Sequence, residues 1–414
     1  MLIKFALRHN LIYPLQLIIW HFLRQIVVDS IAYKFKFENS LAYTPIVFTA
    51  EFLGGLTFYL LQELSLKRKN KEKDHYFMSI KLIKNKGKNG LAPADNYFKI
   101  AFFIIVAGYI DLAQFLYWAI NIPKFQNIST TLTNRLIGIS TIAVALYYIY
   151  VLKLTIYKHH KFSLIVIGIC LAITFGTEFI FQKNDIFLYK IDFFKVLILI
   201  LSKHIFAPII DLLEKYIFEY DYMNPFLVLM FEGLVGIVLS FLLYLTPNYL
   251  QDIKSVFRKY DGWDIFLFIF LIILYIILSA LRNAFKMITT KIYSPMIRNL
   301  TDNVLTPFYL IFYFLVGYDF IYENKRDYLH FSVNLILSII ISICSCIYCE
   351  FIILFCCGLE TNTHDQISKR SLLPGLGAFH DVNENDEESE AFDNFSSHTD
   401  NKTERTEYSP FVLY

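Results

Sequence analysis

Arg135 and Arg298 are the side chains of this sequence with the most specific chemistry to offer. Each opens an apolar run after a hydroxyl-rich approach: Ser129-Thr-Thr-Leu-Thr-Asn before Arg135, and Thr289, Thr290, Ser294 and Pro295 before Arg298. A guanidinium keeps its proton and presents a planar fork that matches phosphate or carboxylate. Helix N-terminal amides favour the same anions. Substrate binding is one expectation for both arginines. The other is snorkelling to the interface or pairing with a structural acid, since Asp302 stands one turn from Arg298 on the same helix face. Lys203 and His204 lie in the middle of an apolar run and, being adjacent, face different directions, so at most one lines a cavity. Glu51, Asp111 and Glu232 also lie inside apolar runs. Ionisable groups at bilayer depth are costly and face a water-filled cavity or a partner. These acids are expected either to couple transport or to serve as counter-ions. For Glu51-Phe-Leu-Gly-Gly and Glu232-Gly-Leu-Val-Gly the competing expectation is close helix packing around a buried ion pair.

Such groups need a membrane scaffold, and the composition supplies one. Of 414 residues 56% are hydrophobic and 18% charged, against about 25% charged in globular chains. This excludes an ordinary soluble domain. Runs of about 20 apolar residues, the length that crosses the hydrocarbon core, fall at Asn10 to Ile31, Leu41 to Leu64, Phe98 to Ile120, Thr131 to Leu154 and Phe162 to Phe181. A second set falls at Phe193 to Leu213, Pro225 to Leu245, Asp264 to Leu281, Arg298 to Val316 and His330 to Phe355. The seventh and eighth runs are joined by a short charged loop holding Asp252, Lys254, Arg258 and Lys259. The predicted fold is an all-α polytopic membrane protein of about ten transmembrane helices. The halves share features at corresponding runs: the two Glu-Gly motifs, the two Arg approaches, and basic groups at depth (His21 and Arg24, then Lys203 and His204). Because five is odd, two five-helix repeats must be inverted, with a site between them near the midplane.

The predicted segments are a first membrane half over 1–186, a second over 187–358 and an acidic tail over 359–414. Basic residues crowd the 65–97 loop and recur at Lys153, Lys158, Lys161, Lys215, Arg282, Lys286 and Lys291, all on the even side. By the positive-inside rule both termini are cytoplasmic. The basic loop is a solvated topology determinant or is drawn to anionic headgroups; nucleic-acid binding has no support beyond charge. The tail, with Glu384, Asp386, Glu387, Glu388, Glu390 and Asp393, cannot bury a core. Its Tyr408-Ser-Pro-Phe411 fits a signal read by a cytosolic adaptor.

No enzyme, cofactor or metal constellation emerges: there is no GxSxG, HExxH, P-loop or dinucleotide turn. His159-His160 sits in a basic link without acidic company and reads as solvated charge. Cys346 and Cys349 form a CxxC by letter but lack a second pair, so the cysteines read as packing residues, with Cys356 and Cys357 placed for palmitoylation.

Three stretches resemble the drug/metabolite transporter superfamily, in particular the nucleotide-sugar-transporter-like solute carrier family 35 and its F-type branch. They are Ser129 to Gly138 followed by Lys161-Phe-Ser-Leu-Ile-Val-Ile-Gly168, the span from Glu214-Lys215 to Glu232-Gly-Leu-Val-Gly236, and Ser294-Pro-Met-Ile-Arg298 with Asp302. The resemblance implies ten helices in two inverted halves and alternating-access transport of an organic, often anionic, metabolite across an endomembrane. On this basis Arg135, Arg298, Lys203 and Asp302 are expected to bind substrate, with Glu51, Glu232 or Asp111 in coupling. The expected partners are a small organic anion, membrane lipids, the adaptor and a second copy of the chain in a homodimer. The alternative is a non-transporting membrane scaffold that recruits cytosolic proteins through its tail. The predicted topology is checked by glycosylation mapping: Asn394-Phe-Ser396 and Asn401-Lys-Thr403 should stay bare, whereas Asn127-Ile-Ser129 is the lumenal acceptor. A sugar on either tail site reverses the orientation.

Overall fold

A backbone in hydrocarbon must satisfy its own hydrogen bonds, and this chain does so as helices. The computed structural model describes residues 3–5, 12–35, 43–69, 136–150, 156–181, 193–220, 223–241, 251–316 and 328–355, with positions 37, 106, 358, 359, 361, 363 and 366. Within these the order is β1 (Ile3–Phe5), α1 (Ile12–Phe35), α2 (Tyr43–Lys69), α3 (Gly138–Tyr150), α4 (Lys158–Phe181) and α5 (Phe193–Tyr220). There follow α6 (Pro225–Ser240), α7 (Gln251–Lys259), α8 (Gly262–Ile292), α9 (Pro295–Val316), α10 (Tyr328–Tyr348) and β2 (Ile352–Leu354). Helices coincide with the apolar runs read from the sequence except the third, 98–120, which apart from position 106 lies outside the described residues, as do most of the 65–97 loop and most of the tail. Four helices are long and apolar enough to cross a membrane, over Tyr43–Ser65, Lys158–Thr177, Gly262–Ile292 and Leu329–Tyr348. Their outward faces are apolar: on α8, Phe266, Ile269, Phe270, Ile273 and Ile277 are all exposed. Trp263, 76% exposed at the start of α8, is placed as an interfacial anchor.

The packing is built on close approach. The two Glu-Gly motifs meet each other across the α2–α6 contact. A Cβ on Gly55 would strike the Met230 backbone, and one on Gly233 would strike that of Phe52. Gly54 likewise faces α8, where an added Cβ would lie 2.8 Å from the Ala280 carbonyl. Elsewhere α1 packs along α8 and also touches α9, α4 packs on α10, and α3 sits between α5 and α9. The antiparallel pairing of Ile3 with Leu354 and of Phe5 with Ile352 brings the two ends of the helical region together.

Helix starts and kinks follow from single residues. Asn224 caps α6 by accepting the Phe226 N–H at 2.9 Å, and Ser294 caps α9 by accepting that of Ile297 at 3.2 Å. In both helices proline fills the first position, where its missing N–H costs nothing. Pro307 inside α9 cannot donate to the Asn303 carbonyl one turn back. The Ser342 hydroxyl of α10 donates to that carbonyl at 2.9 Å instead.

Three sequence expectations are corrected. The eighth run does not end near Leu281; α8 continues to Ile292, because no glycine or proline interrupts it. This removes Arg282 and Lys286 from the loop. The segment between α6 and α8 is not simply a charged loop: α7 is an amphipathic helix with Val256 buried and Lys254, Phe257, Arg258 and Lys259 outward. His159 and His160 are not solvated; each is 2% exposed in the first turn of α4.

Gly233→Ala is expected to destabilise the purified protein by about 1–3 kcal/mol through overpacking. Gly176→Ala, where nothing lies within 4 Å, should be neutral or stabilising by up to about 1 kcal/mol. Melting curves of the two variants in one detergent check the contrast, and equal losses would remove the α2–α6 contact as the cause.

Candidate functional site

One face of α1 carries Leu17, His21, Arg24, Val28 and Ile31 at alternating spacings of four and three residues, which puts them in line toward the protein interior. Opposite that face stand α8 and α9. The long α8 presents Tyr275, Leu278, Arg282 and Lys286 at the same helical spacing, and α9 presents Arg298 and Asp302. The acids Asp211 and Glu214 come from α5, one turn apart, and Glu51 from α2. Five helices thus deliver charged groups to one buried region.

Asp211, 1% exposed, is the hub. Its Oδ2 accepts from the Arg298 guanidinium and, at 3.3 Å, from the Asn299 amide. Its Oδ1 lies 3.3 Å from Lys286 Nζ. Lys286 also donates to Glu214 Oε1 at 2.7 Å, and the charge of Glu232 acts on it as well. Two acids and two cations therefore neutralise one another across α5, α8 and α9. Beside them His21 Nδ1 lies 3.0 Å from Asp302 Oδ1. The Tyr309 hydroxyl donates to the His21 carbonyl at 3.1 Å.

Arg24 and Arg282 are different. Neither has a carboxylate within ion-pair distance among the described residues. Arg24 lies 5.5 Å from the centre of the Tyr275 ring, and Arg282 donates to Asn283 Oδ1 at 2.8 Å. The Nε atoms of both are buried without a hydrogen-bond partner. The like charges of Arg24 and Arg298 act on Arg282, with Asp302 and Glu51 the opposing acids, and Glu51 also acts on Arg24. Asn283 links Arg282 to Glu51, because its amide nitrogen donates to Glu51 Oε1 at 3.3 Å while its oxygen accepts from Arg282. Guanidinium groups with a buried, unspent Nε donor can take an anion.

Of the residues read from the sequence, the structure brings Arg298, Asp302 and Glu51 into this region and places Glu232 close enough to act on Lys286. Arg298 pairs with an acid, but with Asp211 rather than with Asp302. Arg135 and Asp111 lie outside the described residues. Lys203 falls within α5, and its side chain lies outside them too, whereas its neighbour His204 is buried and 2.8 Å from the Ser140 hydroxyl. Arg282 and Lys286 were missed as site residues. Their spacing of four on an unbroken helical run was the available signal. No protein-family model matches the chain, and no curated protein matches it.

The Asp211–Arg298 pair should show strong energetic coupling. Arg298→Gln is expected to cost about 3 kcal/mol by leaving a buried acid under-paired. The double variant with Asp211→Asn should cost less than the sum of the two single changes by about 1–3 kcal/mol. A double-mutant cycle on unfolding of the purified protein measures this, and additive losses would show that the contact carries no coupling.

Proposed function

We propose that the chain is a membrane transporter of an organic anion of the nucleotide-sugar class, working by alternating access, and that Arg24 and Arg282 are its principal anion contacts. The observation that carries this reading is a pair of arginines, each with a buried Nε that has no hydrogen-bond partner and neither ion-paired to a carboxylate among the described residues, in the region of Arg298 and Lys286, which are already neutralised. Arginine's fork suits phosphate oxygens. Buried guanidinium nitrogens with no hydrogen-bond partner are better explained by a ligand than by stability.

The architecture we infer is ten helices in two inverted repeats, with the third helix in the 98–120 run. Three features support it. The two Glu-Gly motifs, one from each half, pack on each other. The contacts of α9 with α10 and of α3 with α4 are exchanged by the swap of halves, as are those of α1 with α9 and of α5 with α3. The β1–β2 pairing puts both ends of the helical region on one side, as an even number of crossings demands. By the excess of basic residues in the even-side loops that side is cytoplasmic, and on the family resemblance the membrane is internal. Glu51 is assigned to coupling because Asn283 connects it to Arg282, so a proton on Glu51 and an anion on Arg282 act on one hydrogen-bonded relay. Arg298, first expected to bind substrate, is reassigned to holding Asp211.

A thermal-shift screen of the purified protein against nucleotide sugars, nucleotides, phosphosugars and uncharged metabolites tests the reading. An anionic class should stabilise the protein by about 2.7 kcal/mol at a hundred times its Kd. Arg24→Gln and Arg282→Gln should abolish that shift while still melting cooperatively. A flat response from folded wild type to every anion, or an undiminished response in both variants, would sink the assignment. In liposomes Glu51→Gln should retain exchange of the stabilising ligand but lose its accumulation driven by an ion gradient. Accumulation at the wild-type rate would remove Glu51 from coupling.

A further inference from the structure

A second group of ionisable side chains is buried away from the charge cluster, where the start of α4 meets the end of α10. His159 and His160 stand in the first turn of α4, each 2% exposed, and Glu350, 8% exposed, reaches them from just beyond α10. One ligand-capable atom of each residue lies within 4.8 Å of the other two. His159 Nε2 is 3.4 Å from Glu350 Oε1. Yet neither ring nitrogen of His159, nor Nδ1 of His160, has a hydrogen-bond partner. Second contacts orient metal-ligating histidine rings, and here the backbone of Tyr348 also acts on the His160 ring. Tyr157 stacks on His159 at 6.1 Å, and the Tyr348 ring lies 4.3 Å from His160, so aromatic rings wall the group.

The backbone at Glu350 is a second, independent observation. Its φ is +57°, in the left-handed region. Phe351 N–H donates to the Cys346 carbonyl at 2.9 Å, and Glu350 N–H to that of Ile347 at 3.0 Å. This is the helix-ending arrangement in which glycine normally occupies the left-handed position. A glutamate there is disfavoured, and its carboxylate meets two imidazoles whose ring nitrogens are short of hydrogen-bond partners.

We propose that His159, His160 and Glu350 form a zinc site that ties α4 to the segment between α10 and β2. Two imidazoles and a carboxylate suit zinc, with water in the fourth position. At zinc's bond lengths of about 2.0–2.2 Å each ligand atom has to close in by under about 1 Å. Bound zinc would staple the C-terminal end of the last helix to a helix of the first half. This inference is independent of the transport reading.

The experiment uses untagged full-length protein in detergent, stripped with a chelator and titrated with zinc against a chromophoric competitor. One zinc per chain is expected, with affinity reduced about tenfold or more by Glu350→Gly and by His159→Asn. Glu350→Gly is the decisive variant, because glycine takes a positive φ without steric cost. Its metal-free form should melt at or above the wild-type temperature, so lost zinc binding cannot be put down to unfolding. The zinc-induced rise in melting temperature should vanish in both variants. Unaltered affinity in both would place the metal elsewhere, on the cysteines for instance, and overturn the site. Absence of saturable zinc binding by wild type would overturn it equally.

Discussion

Asp211 is a carboxylate almost wholly removed from solvent, and the arrangement of the surrounding helices follows from that constraint. A lone charge in so dry a place would cost several kcal/mol. The cations that offset it come from two other helices: Arg298 from the first turn of α9 and Lys286 from the last third of α8. Lys286 must also serve Glu214, one turn along α5. Three helices are thereby held at one depth and in one rotation about their axes. Burial of apolar side chains could not fix either, since lipid is as apolar as leucine. A buried ion network is nevertheless weak evidence of net stability, because apolar replacements of similar volume are often as good or better. Its value is geometric: it fixes the rotation of α8, on which Arg282 lies one turn before Lys286.

Small side chains do for α2 and α6 what the ions do for α5, α8 and α9. Backbone-to-backbone approach at Gly55 and Gly233 draws Glu51 and Glu232 to the edge of the same region. The glycine motif and the charged motif thus have linked roles, and the two expectations for these acids, packing and electrostatics, are not exclusive. A third device joins α3, α9 and α10. The Asn303 amide donates to Thr141 at 3.0 Å and to Ser345 at 3.1 Å, and its proline-freed carbonyl takes the Ser342 hydroxyl. Uncharged hydrogen bonds hold these three helices together.

The helices were legible because run length in an apolar sequence reports them directly; nothing else crosses hydrocarbon cheaply. Their ends were less legible, and the site suffered for it. Reading charge as a stop signal cut α8 at Leu281 and sent Arg282 and Lys286 to a loop. In a helix facing a polar interior, charge at every fourth residue is continuation. Arg298 was legible as a buried cation, but its partner was not. Sequence proximity favours Asp302, one turn onward, yet helical side chains lean toward the N-terminus. Arg298 accordingly reaches back to Asp211, and Asp302 is left for His21 on α1. Partners from helices 87 and 281 positions away in the chain leave no trace in local spacing. The same holds for His159-His160, whose acid lies on the far side of the second half.

The division within the charge cluster bears on how the proposed transport would run. Arg298 and Lys286 are fully engaged, so removing an anion from the site leaves them as they are. Arg24 and Arg282 lie against Tyr275 and Asn283 and have no carboxylate at ion-pair distance among the described residues. Their energy therefore changes most between the loaded and empty states. They sit on α1 and α8, which pack against each other along their length, so the change is delivered to a single helix pair. A ligand shifts a conformational equilibrium only by the difference in its affinity for the two states. An anion that bridges two repelling arginines supplies such a difference wherever the states differ in the spacing of α1 and α8. Glu51, attached to the same pair through Asn283, is placed to alter that spacing when it loses or gains its charge.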